Sequence, residues 1–252
     1  MNKYNCFIAV LWGCFYRNRC FSLININLLR GVTKYFNIEK VKIFYSSSAC
    51  IYPEEIQQMT ENVSLKETDA YPANPDSEYG WEKLFSERLY LSYQKNYKMN
   101  TRIARFHNIY GPQGTWKGGR EKVPAAVCRK VAEARNGENI EIWGDGEQAR
   151  SFLYIEDCIE ATRRLMESQV NTPINIGSEE MVTINQLVKI VAENANKKIL
   201  VNHIDGPLGV RGRNSNNDLI RKELDWDYKY SLKDGIKITY DWISQQILNL
   251  NS

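Results

Sequence analysis

The sequence predicts an α/β fold built on a mostly parallel sheet. Two patterns carry the prediction. Short apolar runs bounded by turn residues alternate with segments of helical periodicity, and strands that alternate with helices in this way form βα units. The composition agrees. A chain of 252 residues that is 43% hydrophobic, 12% aromatic and 25% charged can bury a core without staples, as one large domain or two small ones.

The elements follow in order. Cys6 to Tyr16 is an apolar run of eleven residues after Lys3, too short for the roughly 20 residues of a membrane span. It has a weak basic region and no small-x-small cleavage site, so it reads as a buried strand or an ill-fitting start rather than as an export signal. Val41 to Tyr45 is a strand that ends in Ser46-Ser-Ser-Ala-Cys50, and Glu78 to Tyr97 is the next helix. Thr101 to Phe106, Ile140 to Trp143, Ser151 to Ile155 and Pro173 to Ile176 are further strands, with a helix over Pro124 to Arg135. Ile184, Leu187, Val188 and Val191 share a helical face behind the capping box Thr183-Ile-Asn-Gln186. The last helix opens on Ser231-Leu-Lys-Asp234 and carries Ile236, Tyr240, Ile243 and Ile247 along one face. The loop-rich Gly111 to Lys122 is the one plausible domain boundary, after which the elements become shorter and more mixed.

Charge and cysteine usage exclude several classes. The 33 Lys+Arg against 30 Asp+Glu leave a dispersed net charge of +3, too little for a phosphate-backbone footprint, so nucleic acid is excluded as a partner. Cys6, Cys14, Cys20, Cys50, Cys128 and Cys158 contain no C-x-x-C pair, and His107 and His203 have no companion at ligand spacing, so no metal site is expected. Free thiols point to a reducing, cytoplasmic setting with no membrane.

Tyr79 and Lys83 lie four residues apart and share one face of the helix expected over Glu78 to Tyr97. With 15 Tyr and 18 Lys in 252 positions, about one such spacing arises by accident, so the spacing alone decides nothing. The chemistry is sensible nonetheless. A phenol with an ordinary pKa of about 10 becomes a usable base near neutrality when a neighbouring cation stabilises its phenolate. The Ser46 to Cys50 hydroxyls and thiol fall at the carboxyl end of a parallel strand, where open α/β sheets place ligands. A polar strand-to-loop turn followed by an amphipathic helix accounts for the same residues.

Three motifs in order decide between these readings: Ser46-Ser-Ser-Ala-Cys-Ile-Tyr-Pro53, Tyr79-x-x-x-Lys83 and Arg105-Phe-His-Asn-Ile-Tyr-Gly-Pro112. Together they resemble the extended short-chain dehydrogenase/reductases that remodel nucleotide sugars. Gly114 to Lys122, Trp143 to Phe152 and Gly206 to Asn214 narrow the resemblance to the GDP-mannose 3,5-epimerase group, over roughly Asn27 to the C-terminus.

The resemblance implies a Rossmann-like, doubly wound sheet with a smaller mixed substrate-binding lobe, NAD as cofactor, and GDP-mannose converted to GDP-L-galactose through a 4-keto sugar. It makes Tyr79 the base for the C4 hydroxyl, Lys83 its pKa-lowering partner and cofactor-ribose ligand, Ser48 the hydroxyl that orients C4, and Ser46 a further cofactor contact. Cys50 and Lys122 become the proton carriers on opposite ring faces. Asn108, Lys130, Gln148, Arg150 and Arg213 become contacts to the GDP-sugar, the two arginines as charge-assisted phosphate ligands. On the residues alone, Cys50 as a small buried hydrophobe, Lys122 as a solvated charge and the arginines as surface cations remain open. Trp143 and Trp226 are expected to pack rather than to stack on guanine.

The start of the chain departs from the family. A first strand, a G-x-x-G-x-x-G turn and a helix whose amides meet the pyrophosphate are expected there. After Gly13, however, the next glycine is Gly31, and Asn27 to Phe36 already resembles the helix before the serine-rich strand. The sheet is therefore expected to be incomplete, its first βα units missing, with residues 1–20 unassigned, 21–112 a remnant of the NAD-binding domain, and 113–252 mostly substrate-binding lobe with some segments returning to the sheet. An exposed sheet edge at Lys42 to Ser46, or within residues 1–20, then implies a homo-oligomer or a partner chain that supplies the missing lobe. A non-catalytic GDP-sugar-binding remnant and a UDP-sugar 4-epimerase or decarboxylase are the alternatives.

Overall fold

A computed structural model of the chain describes residues 5–9, 21–61 and 63–251. The central sheet has four strands in the order β1 (Asn5–Ala9), β2 (Val41–Ser48), β3 (Asn100–Phe106) and β8 (Ile174–Ile176), all parallel. The helices are α1 (Phe21–Tyr35), α2 (Glu78–Tyr97), α3 (Val123–Glu133), α4 (Ile155–Glu167), α5 (Ile184–Asn194), α6 (Asp218–Leu224) and α7 (Leu232–Asn251). The short strands β4 (Ile109–Tyr110), β5 (Asn139–Trp143), β6 (Ala149–Ser151), β7 (Leu153–Tyr154), β9 (Met181–Thr183), β10 (Leu200–Ile204) and β11 (Gly212–Arg213) complete the described elements.

Because successive strand side chains point to opposite faces, a strand covered on both sides presents apolar residues to each. β2 shows this. Ile43 and Tyr45 pack with Leu29 and Val32 of α1 and Tyr90 of α2, whereas Phe44 packs with Cys158 and Leu165 of α4 and Ile220 of α6. The sheet is thus the middle of three layers. A second core joins α3, α5 and α7 through Val127, Val131, Leu187, Val191, Ile236 and Ile243. Over it run the parallel pair β5·β10 and the three-stranded β11-β6-β9, in which β6 and β9 are antiparallel.

The expected starts of α5 and α7 are seen. Thr183 Oγ1 accepts from the Gln186 amide at 3.1 Å while the Gln186 side chain accepts from the Thr183 amide at 2.9 Å, and Ser231 Oγ accepts from the Asp234 amide at 3.2 Å. Two expectations need correction. Ser151 to Ile155 is not one strand: Phe152 separates β6 from β7, and Ile155 already opens α4. The cause is local, since Glu156 and Asp157 fill the first turn of a helix and the Asp157 carboxylate is fixed by the amides of Lys229 and Tyr230. The helix expected to reach Arg135 stops at Glu133, where the Lys197 ammonium donates to the carbonyls of Val131, Ala132 and Ala134 at 2.7–2.9 Å. Of the two places expected for the sheet edge, Lys42 to Ser46 and residues 1–20, the described strands give the second, because β1 pairs along β2 from Asn5↔Val41 to Ala9↔Tyr45 and ends the strand order. The rest of the apolar run at the start, residues 10–16, lies outside the described residues.

Among the described residues no helix is long and apolar enough to cross a membrane, and Cys50, Cys128 and Cys158 are free thiols.

Candidate active site

The site forms where β2 leaves the carboxyl end of the sheet and the first turn of α2 packs against it. Ser48 is extended and caps the single 3-10 turn Ala49–Ile51, its Oγ accepting from the Cys50 amide at 3.2 Å. α2 begins at Ser77, whose Oγ accepts from the Gly80 amide at 3.3 Å. That start places Tyr79 in the first turn, where the Ser48 side chain favours its phenolate. One turn on, Lys83 Nζ donates to the Ser46 carbonyl at 2.7 Å and sits 5.6 Å from the centre of the Tyr79 ring.

The two ionisable groups are perturbed by burial. The Tyr79 phenol is pushed up to about 12 by desolvation and by the neighbouring Cys50, against the effect of Ser48. Lys83 is pushed down to about 8 by desolvation, opposed by Glu82, Cys50 and Glu87. The sequence reading has Lys83 lowering the phenol. Here the ammonium donates to a backbone carbonyl while standing 5.6 Å from the Tyr79 ring, and the Ser48 side chain acts on Tyr79 in that direction.

Arg213 of β11 closes the site. Its Nε donates to Gln57 Oε1 at 2.5 Å, one terminal nitrogen to Cys50 Sγ at 3.2 Å, and the other to Asp76 Oδ2 at 3.1 Å. Arg150 stands directly opposite Arg213 in the β6·β11 ladder and donates to the carbonyls of Ala149, Val210 and Arg211. Contacts therefore run in a ring from Tyr79 to Ser48, Cys50, Arg213, Asp76 and back to the start of α2.

The remaining predicted residues stand outside that ring. Asn108 has a positive φ of 46° and its Nδ2 donates to the Ser151 carbonyl at 2.9 Å, pinning the β3–β4 link to β6. Gln148 is buried and donates to the Trp143 carbonyl at 3.4 Å, while its Oε1 has no partner. Lys130 donates to the Glu141 carbonyl at 2.6 Å. Lys122 is exposed as the N-cap residue of α3. Among the described residues, no hydrogen bond or ion pair joins these four side chains to Tyr79, Cys50 or Arg213. Trp226 is buried, as expected, but Trp143 is 53% exposed, with Gly206 against its ring.

Gln57 and Asp76 were not evident in the sequence. Asp76 precedes a helix-capping serine, a signal for a helix start and not for an arginine 137 residues away. The spacing Gly206-x-x-Gly209-x-x-Gly212 also has the dinucleotide pattern, yet it leads from β10 into β11 and meets no helix N-terminus. A side chain at Gly212 would collide with the Met59 carbonyl, so that glycine serves close packing.

Tyr79, Lys83 and Ser46 thus come together at the carboxyl end of β2, where open parallel sheets take ligands. The model of the NAD dependent epimerase/dehydratase family matches residues 15–177. The chain belongs to that family. It is 50% identical over 227 residues to a GDP-mannose 3,5-epimerase of Arabidopsis thaliana and 49% identical to one of Oryza sativa subsp. indica, each alignment covering 90% of this chain and 58% of the relative. The chain thus spans 58% of the length of these curated relatives. A solved UDP-glucose 4-epimerase of Thermotoga maritima superposes with a TM-score of 0.76 at 26% identity, covering 88% of this chain and 69% of the other. The fold of this family is the three-layered parallel arrangement described above.

The burial of Lys83 has a measurable consequence. Its folded value near 8 lies below the ordinary 10.5, so between these values the unfolded chain holds more protons and stability rises with pH. The contribution is complete above 10.5 and lost as pH falls through 8. Tyr79, raised from 10 to about 12, acts in the opposite sense above pH 10. Urea unfolding between pH 7 and 10 should therefore show the native protein gaining stability relative to Lys83→Met. Parallel profiles for the two proteins would remove the desolvated amine from the account.

Proposed function

We propose that this chain carries the sugar-remodelling site of a nucleotide-sugar epimerase that takes GDP-mannose to GDP-L-galactose through a 4-keto intermediate. The observation that carries the proposal is the ring Tyr79–Ser48–Cys50–Arg213, which sets a phenol, a hydroxyl, a thiol and a buried guanidinium around one space. The 50% identity to a GDP-mannose 3,5-epimerase supports the choice of sugar nucleotide. NAD, when bound, would accept the hydride from C4.

In this reading Tyr79 takes the proton of the C4 hydroxyl, while Ser48 holds that hydroxyl in line. The resulting ketone acidifies the hydrogens at C3 and C5. Cys50 then exchanges a proton on one face of the ring, and Lys122 on the other. Arg213 and Arg150 take the diphosphate. Self-association or a partner chain, and a cytoplasmic location, belong to the same proposal. In a second reading the chain binds a GDP-sugar without turning it over.

GDP-mannose at saturation should raise the melting temperature more than UDP-glucose does, since only the folded state binds it. Equal shifts for both would contradict the substrate assignment. With NAD present, Cys50→Ala and Lys122→Ala should each cut solvent-deuterium incorporation into the sugar by about 10²–10⁴ while C4 oxidation persists, and Tyr79→Phe should abolish oxidation. Binding without deuterium exchange in the native chain would select the second reading.

A further inference from the structure

Two guanidiniums and one carboxylate meet at the edge of the site. Arg213 and Arg150 are register partners on neighbouring strands, and the Arg213 side chain, 8% exposed, is ion-paired with Asp76, 19% exposed. Arg150 has no carboxylate partner among the described residues, three of its five donors going to the three carbonyls. The neighbouring Arg211 is paired elsewhere, with Asp145 at 3.1 Å. One positive charge is thus left over beside Cys50, in surroundings where an uncompensated charge is costly. Burial and the Arg213 charge push Arg150 down to about 10, and Asp76 is the carboxylate that opposes this.

Asp76 is placed to act as an anion in its own right. Its Oδ1 accepts from the Ser77 hydroxyl at 3.1 Å and its Oδ2 accepts from Arg213, so the carboxylate bridges the N-terminus of α2 and the strap that carries Arg213. Arg213 uses one donor each on Gln57, Cys50 and Asp76, and a guanidinium has five. Two N–H groups remain for a ligand, with a fixed negative charge beside them.

We propose that Asp76 is a specificity-determining residue of this site, an internal counter-anion that a phosphate group must outcompete for Arg213. The proposal rests on the nucleotide-sugar reading for the identity of the ligand but not for the anion chemistry. Its consequence is that the native chain binds phosphate groups more weakly than its arginines alone would, and that a singly charged phosphate gains less from the site than a diphosphate, which can spread over Arg213 and Arg150 together.

The test is titration calorimetry of the 252-residue chain with inorganic pyrophosphate and with GDP, for the native protein, Asp76→Asn, Arg213→Met and the double variant. Asp76→Asn keeps an acceptor for Ser77 and Arg213 while removing the charge. It should tighten pyrophosphate and GDP by about tenfold and steepen their salt dependence. In the Arg213→Met background the same change should alter affinity by less than about twofold, because the competition it relieves has gone. Asp76→Ser serves the same comparison if Asp76→Asn does not fold. Weakening of pyrophosphate by Asp76→Asn to the extent seen in Arg213→Met would overturn the proposal, since the carboxylate would then be holding the arginine in place. So would unchanged affinity, or no binding of either anion to any of the proteins. Tighter pyrophosphate in Asp76→Asn together with equal thermal shifts for GDP-mannose and UDP-glucose would uphold the counter-anion and remove the substrate reading.

Discussion

The close approach of the first turn of α2 to the turn that follows β2 is the constraint on which the site depends. Gly80 permits it. A Cβ at that position would overlap the Cys50 carbonyl oxygen and stand 2.7 Å from Pro75 Cβ, so no side chain fits without moving one of the two segments. Three pairings lie within one turn of this point: Tyr79 beside Ser48, Lys83 with the Ser46 carbonyl, and Asp76 with Arg213. A displacement of even 1 Å would loosen all three together, and positioning on that scale is what acid–base and anion chemistry requires.

The same helix is held one turn further along by a buried ion pair. Glu87 accepts from Arg105 of β3 at 2.8 Å and from the Ser47 hydroxyl of β2, with side-chain exposures of 1% for the glutamate and 4% for the arginine. Arg105 also donates to the Glu67 carbonyl and to Tyr52, and Tyr52 donates to Asn175, which also bonds His107. A pair so fully desolvated adds little net stability over an apolar replacement, whereas removing one partner costs about 3–5 kcal/mol. Its value here is geometric, because it fixes α2 to two adjacent strands at the level where Lys83 meets Ser46. The fully buried His107, pushed down to about 3 by desolvation, stays neutral and belongs to this framework rather than to proton transfer.

What the sequence discloses and what it hides follow from the range of the interactions. β2 is legible because burial on both faces makes Ile43 to Tyr45 a short apolar run, and α5 because Thr183 and Gln186 cap it within four residues. Tyr79 and Lys83 share a face by helical spacing alone. By contrast, Cys50 and Arg213 are 163 residues apart, and Gln57, Asp76 and Arg150 acquire meaning only through the strand pairing that brings β11 beside β6. The region around Phe152 misleads for a related reason. Its apolar residues read as one strand, yet they serve two different sheets and then a helix whose first turn is fixed by backbone amides more than 70 residues on. Only the family resemblance, and no local pattern, points to Lys122, which remains exposed beside the loop 111–122.

If the Gly80 contact organises the site, replacing that glycine must cost stability even though alanine is the better helix former. At an open helical position Gly→Ala stabilises by roughly 0.5–1 kcal/mol. Equilibrium urea unfolding of Gly80→Ala beside the native protein should instead show a loss of about 1–3 kcal/mol, the range for overpacking a closed contact. A gain in stability from Gly80→Ala would mean that α2 and the Cys50 turn are not in the contact from which the rest of the site is built.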